Sequence, residues 1–204
     1  MNVISREVAR SIWGGQHVGW MYMGSNGASG GLLLMWDRRV VEKREDCMGH
    51  YTMAACFQNV QDHFVWGFGG VYGPNDDVER RILWEELAGL RVLWEVPWCI
   101  GGDFNIVRFP SERSNDSNLS IGMMDFSDFI SEQGLVDIPL EGGLFTWSDN
   151  QEDEIWSTID RFLFSPDWED HYLAVSQRRL QNLLSDHFPL MLDCGEFRGG
   201  EEIF

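Results

Sequence analysis

Residues Trp98-Cys99-Ile100-Gly101-Gly102-Asp103-Phe104-Asn105 form an apolar run of strand length that ends in polar side chains. Such a run predicts a buried strand. Asp103 and Asn105 would then project beyond its end, where the binding sites of open α/β sheets form. The two glycines would let the backbone approach a phosphate group closely. Because Asp and Asn are also typical turn residues, an ordinary turn is the alternative interpretation.

Outward from this stretch, apolar runs alternate with helical patterns along the chain. Asp76 is placed as the N-cap of a helix that continues to Trp94, and Phe126 and Ile130 mark a second helix that ends near Gly134. The other predicted strands are 31–36, 51–58, 64–72, 144–148, 158–165 and 188–193. Strands interleaved with helices predict α/β layers with stacked sheets, in one domain spanning residues 1–204. The pattern leaves the topology open.

Two further motifs place charged side chains beside apolar strands. In Ile159-Asp160-Arg161-Phe162-Leu163 a carboxylate lies inside a strand-forming run, where it costs free energy unless it has a partner such as a histidine. The alternative is an ion pair between Asp160 and Arg161 on an exposed strand face. In Ser185-Asp186-His187-Phe188-Pro189-Leu190 a histidine beside a carboxylate precedes a strand, which is suited to general acid–base chemistry. The alternative there is a surface loop.

Composition excludes some classes of protein and disfavours others. The 204 residues include 10 Trp and 13 Phe, too many aromatic residues for a disordered chain. No apolar run reaches the roughly 18 residues that span a membrane, and the first ten residues do not form a secretory signal. The four scattered cysteines are interpreted as free thiols of an intracellular protein: Cys47, Cys56, Cys99 and Cys194. The net charge of −18 argues against tight binding to duplex nucleic acid.

Taken together and in this order, the three motifs resemble those of the endonuclease/exonuclease/phosphatase (DNase I-like) superfamily. Val71-Tyr72-Gly73-Pro74 resembles the strand end that this family places before its Asp-x-Asn. Gly142-Gly143-Leu144-Phe145-Thr146-Trp147-Ser148 is similar to the Phe-Thr-Trp segment of LINE endonucleases and their apurinic-site relatives, and the chain as a whole most resembles the endonuclease domain of plant LINE-type retrotransposons. The resemblance runs from about Ile4 to Cys194. It implies a four-layer α/β/β/α sandwich of two packed mixed sheets, with helices outside.

The resemblance also implies roles for individual side chains. Asp103 would orient or deprotonate the attacking water, and Asn105 and Tyr72 would contact the scissile phosphate. His187 would stabilise the developing negative charge, with Asp160 holding its imidazole within about 2.6–3.2 Å and raising its pKa. These side chains should therefore converge at one rim of the sandwich.

A metal ion and DNA are the expected cofactor and partner. The family uses Mg²⁺ or Mn²⁺, and Asp186 would lie in the metal region. In the family, a strand bearing Trp-Asn-x-Arg-Gly and a strand ending in Gln-Glu come first, whereas Asn2-Val3-Ile4-Ser5 resembles the helix that follows them. Glu7 lies on that helix and is a poor replacement for the metal-binding Glu.

We therefore expect a chain that lacks the first two strands, binds its metal weakly and is impaired as a DNA endonuclease. A LINE-like protein would act in the nucleus. Two alternatives remain open. One is a non-catalytic remnant that retains the fold and a binding role. The other is a small-molecule phosphatase of the same superfamily.

Overall fold

The computed structural model describes residues 4–24, 30–115, 118–181 and 185–195. The helices in these ranges are α1 Arg6–Trp13, α2 Asp77–Leu93, α3 Ile121–Glu132 and α4 Pro166–Glu169, with a short 3₁₀ helix at Pro110–Glu112. The strands are β1 Val18–Met23, β2 Leu32–Asp37, β3 Val41–Met48, β4 Thr52–Asn59, β5 Val65–Tyr72, β6 Trp98–Asp103, β7 Val136–Asp137, β8 Leu140–Glu141, β9 Trp147–Ser148, β10 Trp156–Ser157, β11 Asp160–Phe164, β12 Ser176–Arg179 and β13 Leu190–Asp193.

A six-stranded sheet forms the centre of the fold, in the order β3-β4-β5-β6-β11-β7. β5 and β6 are parallel, and the other neighbours are antiparallel. The parallel pair is connected by α2, as parallel strands require a crossover. The mixed sheet thus brings the C-terminal ends of β5 and β6 next to the N-terminal end of β11.

Helices α2 and α3 cover one face of this sheet. Asp76 caps α2 as predicted, because its carboxylate accepts the backbone N–H groups of Val78 and Glu79. Trp84 of α2 stacks on Phe126 and Phe129 of α3, with ring centroids 5.0 and 4.8 Å apart. Both helices were predicted from their apolar spacing, and both are confirmed.

The alternation of side chains along β4 shows that its two faces are both buried. Ala54 and Cys56 belong to the core beneath the helices, whereas Met53, Ala55 and Phe57 belong to a separate core on the opposite face. Since successive residues of a strand point to opposite faces, a strand that is buried throughout must lie between two layers.

The second layer consists of two hydrogen-bonded pieces. One is the antiparallel pair β1-β2, and the other is the mixed sheet β8-β12-β13. Their apolar side chains pack on the six-stranded sheet, and α1 packs on β1 with Ala9 buried. The expected sandwich of two packed mixed sheets with helices is confirmed.

Two predicted strands are shorter than the apolar runs suggested. The run 144–148 contributes only β9, because Leu144 is 80% exposed and follows a turn in which Gly142 has a φ of +78°. The run 188–193 contributes only β13. In the described residues, no helix is long and apolar enough to cross a membrane. All four cysteines are free thiols, as expected.

Candidate active site

Three predicted site residues lie on one face of the central sheet, at the edge where its strands end. Asp103 is the last residue of β6, and it is paired in register with Tyr72 of β5 and with Asp160 of β11. Asp160 shares its face with Phe162 and Phe164, which pack toward the second layer. The two carboxylates therefore open into the rim between the two layers.

His187 reaches this rim from the segment before β13. Its Nδ1 donates to Asp160, at 2.9 Å from Oδ2 and 3.2 Å from Oδ1. The predicted contact is confirmed. The hydrogen bond to Asp160 is the main cause of a raised pKa of His187, with the charge of Asp103 adding to it and burial opposing it. The Nε2 atom lies 3.9 Å from Asp103 Oδ2.

Asp103 is the most deeply buried of these acids. Asp103 is 8% exposed. Its burial, and to a smaller extent the negative charge of Asp160, raise the pKa of its carboxyl to about 7. Its Oδ1 accepts the backbone N–H of Asn105 at 2.8 Å, which lowers the pKa without offsetting the other effects. A carboxyl that titrates near neutrality is suited to exchange a proton with water.

Asn105 is held in a left-handed turn beside Asp103. Its φ is +51°, a conformation that Asn adopts more readily than most residues. Its Nδ2 donates to the carbonyl of Gly73 at 2.7 Å, which ties the turn to the end of β5. The motif therefore contains a local turn that ties Asn105 to Asp103 and to the end of β5, and the expected contact of Asn105 with a phosphate stays a prediction.

The two glycines of the motif are required by the packing of the sheet. A Cβ on Gly101 would lie 2.4 Å from the Phe162 ring. Gly102 has a φ of +143°, and a Cβ there would lie 2.2 Å from the Val71 carbonyl oxygen. Both glycines allow neighbouring strands to pack closely, which is a requirement of the sheet itself. The expected approach of the backbone to a phosphate stays a prediction.

The candidate metal-binding group consists of Asp103, Asp160 and His187. One ligand atom from each lies within 4.8 Å of the others. Asp186 is not in this group: its Oδ2 accepts the indole N–H of Trp147 at 3.1 Å, a bond that is the main cause of a lowered pKa of Asp186. Asp186 remains close enough for its charge to raise the pKa of Asp103.

Tyr72 lies beside the carboxylates in the sheet. It pairs with Asp103, and its ring lies against Gly30, where an added Cβ would be 3.4 Å from Cζ. The expected contact of Tyr72 with a phosphate stays a prediction. The five other predicted residues, Asp103, Asn105, Asp160, Asp186 and His187, lie together at this rim.

The exposed ion pair considered for Asp160 and Arg161 is wrong. Consecutive strand residues point to opposite faces, so Arg161 faces the helix side of the sheet and is 3% exposed. Its Nη2 lies 2.7 Å from Glu112 and its Nη1 2.8 Å from Asp137. Arg161 belongs to the interior, and Asp160 belongs to the site.

Sequence reasoning missed the roles of Thr146 and Trp147. The Thr146 hydroxyl accepts the backbone N–H groups of Ile159 and Asp160, each at 3.0 Å. Trp147 forms a β-bridge with His187 besides its bond to Asp186. The available signal was a small polar residue between two aromatic ones, which indicates a buried hydroxyl in need of a partner.

Comparison with known proteins gives matches of structure only. No protein-family model matches the sequence, and no curated protein does. The endonuclease domain of TRAS1, a telomere-specific non-LTR retrotransposon, matches with a TM-score of 0.67 at 13% identity, over 91% of this chain and 82% of that one. An endonuclease/exonuclease/phosphatase from Bacteroides vulgatus matches with a TM-score of 0.62 at 14% identity, over 92% and 80%.

A mannosyl-6-phosphatase from Bacteroides thetaiotaomicron VPI-5482 also matches, with a TM-score of 0.56 at 17% identity, over 87% of this chain and 76% of that one. The structural neighbours thus include both a nuclease and a phosphatase. Identities this low establish a common architecture and do not establish a common substrate. The chain has the DNase I-like fold of these endonuclease/exonuclease/phosphatase proteins.

Proposed function

We propose that this chain is a metal-dependent phosphodiester hydrolase of the DNA endonuclease type, derived from a retrotransposon. The observation that carries the proposal is the convergence of Asp103, Asp160 and His187 within 4.8 Å at the rim between two sheets. A buried acid with a raised pKa beside a histidine held by a second acid is an arrangement typical of functional sites.

The side chains present are compatible with a divalent cation. Asp103 and Asp160 offer carboxylate oxygens, which Mg²⁺ and Mn²⁺ prefer, and Asp186 is a further acid nearby. The mutual repulsion that raises the pKa of Asp103 would be relieved by a cation. When bound, such an ion stabilises negative charge on phosphoryl oxygens. A group of two carboxylates and one imidazole should hold it weakly.

The protein's own side chains supply the remaining chemistry. Asp160 fixes Nδ1 of His187, so that Nε2 is directed toward Asp103 across 3.9 Å. This separation is too long for a direct hydrogen bond, but it lets one oxygen atom of a water molecule or of a phosphate contact both side chains. Asp103 accepts a proton from the attacking water as its oxygen bonds to phosphorus, while protonated His187 donates a hydrogen bond to a phosphoryl oxygen. The P–O bond to the leaving alcohol breaks, and the alcohol oxygen takes its proton from solvent water. Asn105 retains a second amide hydrogen for the phosphate.

A phosphatase acting on a small phosphoester is the second candidate, and the net charge of −18 favours it. A small substrate presents fewer phosphates to an acidic surface than a duplex does. The fold does not separate the two candidates, because a nuclease and a phosphatase both share it.

Assays of the 204-residue chain with two substrates test the proposal. Supercoiled plasmid and a phosphomonoester are each incubated with Mg²⁺ and with Mn²⁺. We expect slow plasmid nicking that Asp103→Asn and His187→Ala each abolish, while the exposed control variants Asp170→Asn and His17→Ala retain it. Phosphomonoester hydrolysis without nicking would support the second candidate. Activity toward neither substrate would indicate a non-catalytic remnant.

A further inference from the structure

Thr146 lies between the two segments that carry the Asp160–His187 pair. Its side chain is completely buried, and its hydroxyl accepts from the backbone of Ile159 and Asp160, each at 3.0 Å, while donating to the Ser157 carbonyl at 3.4 Å. Its own carbonyl accepts from the backbone of Phe188 at 2.7 Å. One residue thus contacts both the acid-bearing strand and the segment of the histidine.

The hydroxyl replaces a missing strand neighbour. On its inner edge, β11 pairs with β6 along its whole length, including Asp160 with Asp103. On its outer edge, β7 reaches only Leu163 and Phe164. At the site end of β11 the outer N–H groups are bonded by side chains instead: Gln177 Oε1 accepts from Phe162 at 2.8 Å, and Thr146 accepts from Asp160.

We infer that Thr146 is a positioning residue that sets the Asp160 carboxylate against the His187 imidazole. The expected effect on catalysis rests on the proposed function. The expected effect on the Asp160–His187 hydrogen bond rests on the geometry alone. Removing the hydroxyl leaves one buried and one partly buried N–H group without this acceptor, and the strand at Asp160 must shift to satisfy them. The backbone bond from Phe188 to Thr146 is retained, so the carboxylate moves relative to the imidazole.

A purely structural role predicts a different result. If the Thr146 hydroxyl only supplied a hydrogen-bond partner to buried backbone groups, its removal would lower the stability of the fold, as the loss of any buried hydroxyl does. The hydrogen bond between His187 and Asp160 would not change. Thr52 supplies the comparison: it is 1% exposed on β4, and its hydroxyl bonds to Glu86 at 3.0 Å. Thr52→Val removes a buried hydroxyl elsewhere, and Thr146→Ser retains the hydroxyl at the site.

The experiment uses the full chain and two independent measurements. The first is the low-field NMR resonance of the His187 imidazole N–H in metal-free protein, which reports the bond to Asp160 whether or not the chain is active. The second is kcat and KM on the substrate hydrolysed in the assays above. For Thr146→Val we expect loss of the resonance and a fall in kcat of about 100-fold with little change in KM.

The matched variants should behave otherwise. Thr146→Ser should keep the resonance and most of kcat, and Thr52→Val should keep both while lowering the melting temperature. A folded Thr146→Val protein with the wild-type resonance and kcat would overturn the inference, as would a serine variant as impaired as the valine one. If the valine variant fails to fold, Thr146→Ala is judged by the same criteria. A wild-type chain that shows the resonance without hydrolysis would refute the proposed function alone.

Discussion

The Asp103 carboxyl occupies a position that opposes its own ionisation. It is buried, and the charge of Asp160 repels the ionised form, which together raise its pKa to about 7. A folded-state pKa above the unfolded value of about 4 means that ionised Asp103 destabilises the fold. A buried charge that lowers the stability of the fold is typical of a functional site.

Replacing this carboxyl should therefore stabilise the metal-free protein. Below about pH 4 the acid is protonated in both states, and wild type and Asp103→Asn should be equally stable. As pH rises from about 4 to about 7 the wild type should lose stability relative to the variant, by on the order of 4 kcal/mol above that range. Urea unfolding at several pH values with EDTA measures the difference. Asp170→Asn is the control, and a destabilised Asp103→Asn protein near pH 8 would contradict the prediction.

The His187 imidazole should respond in the opposite sense to loss of its partner. Its pKa is raised chiefly by the hydrogen bond to Asp160, so Asp160→Asn should lower it. Asp103→Asn should lower it by less, because Asp103 acts through charge alone. An NMR titration of the metal-free variants measures both shifts. Equal pKa values in wild type and Asp160→Asn would show that the pair is not coupled.

These two residues also show how far sequence reasoning reaches at this scale. A carboxylate within an apolar strand needs a partner such as a histidine, and the family resemblance identified that histidine as His187. The placement of Asp186 in the metal region came from the family resemblance, and a short motif does not reveal what each of its side chains faces. The bond from Trp147 to Asp186 depends on how two layers meet, which short motifs do not encode.

Strand β6 requires small residues near the site. Gly102 has a φ of +143° and leaves no room for a Cβ beside the Val71 carbonyl. The parallel partner β5 therefore approaches closely at the point where Tyr72 and Asp103 come into register. This close approach fixes the position of Asp103 relative to Tyr72.

An alanine at Gly102 should separate these strands and strain the backbone. We expect Gly102→Ala to destabilise the protein by about 2–4 kcal/mol, from backbone strain and overpacking together. Gly89→Ala is a control of opposite sign: Gly89 lies inside α2 with open space around it, and alanine there should stabilise by about 0.5–1 kcal/mol. Denaturant midpoints measure both. A Gly102→Ala protein as stable as wild type would show that the sheet can relax around the new methyl group.

The elements differ in how well the sequence predicted them. α2 and α3 were predicted because their apolar residues recur at helical spacing and because Asp76 is a strong cap. The run 144–148 was overextended because an apolar run does not reveal whether it has a strand partner. Only two of its residues pair, with β10, and Thr146 uses its hydroxyl rather than a ladder to bond to β11.

Over the whole molecule, negative charge is in large excess, with 33 acidic and 15 basic residues. Part of it lies in the exposed tip between β9 and β10, at Glu152, Asp153 and Glu154. Charge of one sign repels itself more strongly in a compact state than in an unfolded chain. Salt screens this repulsion, with a screening length of about 10 Å at 0.1 M.

The stability of the protein should therefore increase with salt. Raising NaCl from about 20 to about 200 mM should raise the urea midpoint. Neutralising the tip with the variant Glu152→Gln, Asp153→Asn, Glu154→Gln should reduce that increase. Sucrose, which stabilises without screening charge, should act equally on both proteins. A midpoint that is independent of salt, or that falls, would show that attractive ion pairs such as those of Arg161 dominate instead.

The joining of β6, β11 and the segment before β13 at one rim has a consequence for the order of folding. Asp103, Asp160 and His187 are far apart in the chain, and contacts of that kind close late because long loops must be ordered first. The bond between Asp160 and His187 forms only once the layer containing β13 has docked on the central sheet. In a refolding experiment, the low-field NMR resonance of the His187 imidazole N–H would therefore report the final docking step. It should appear after the circular-dichroism signal of helices α2 and α3.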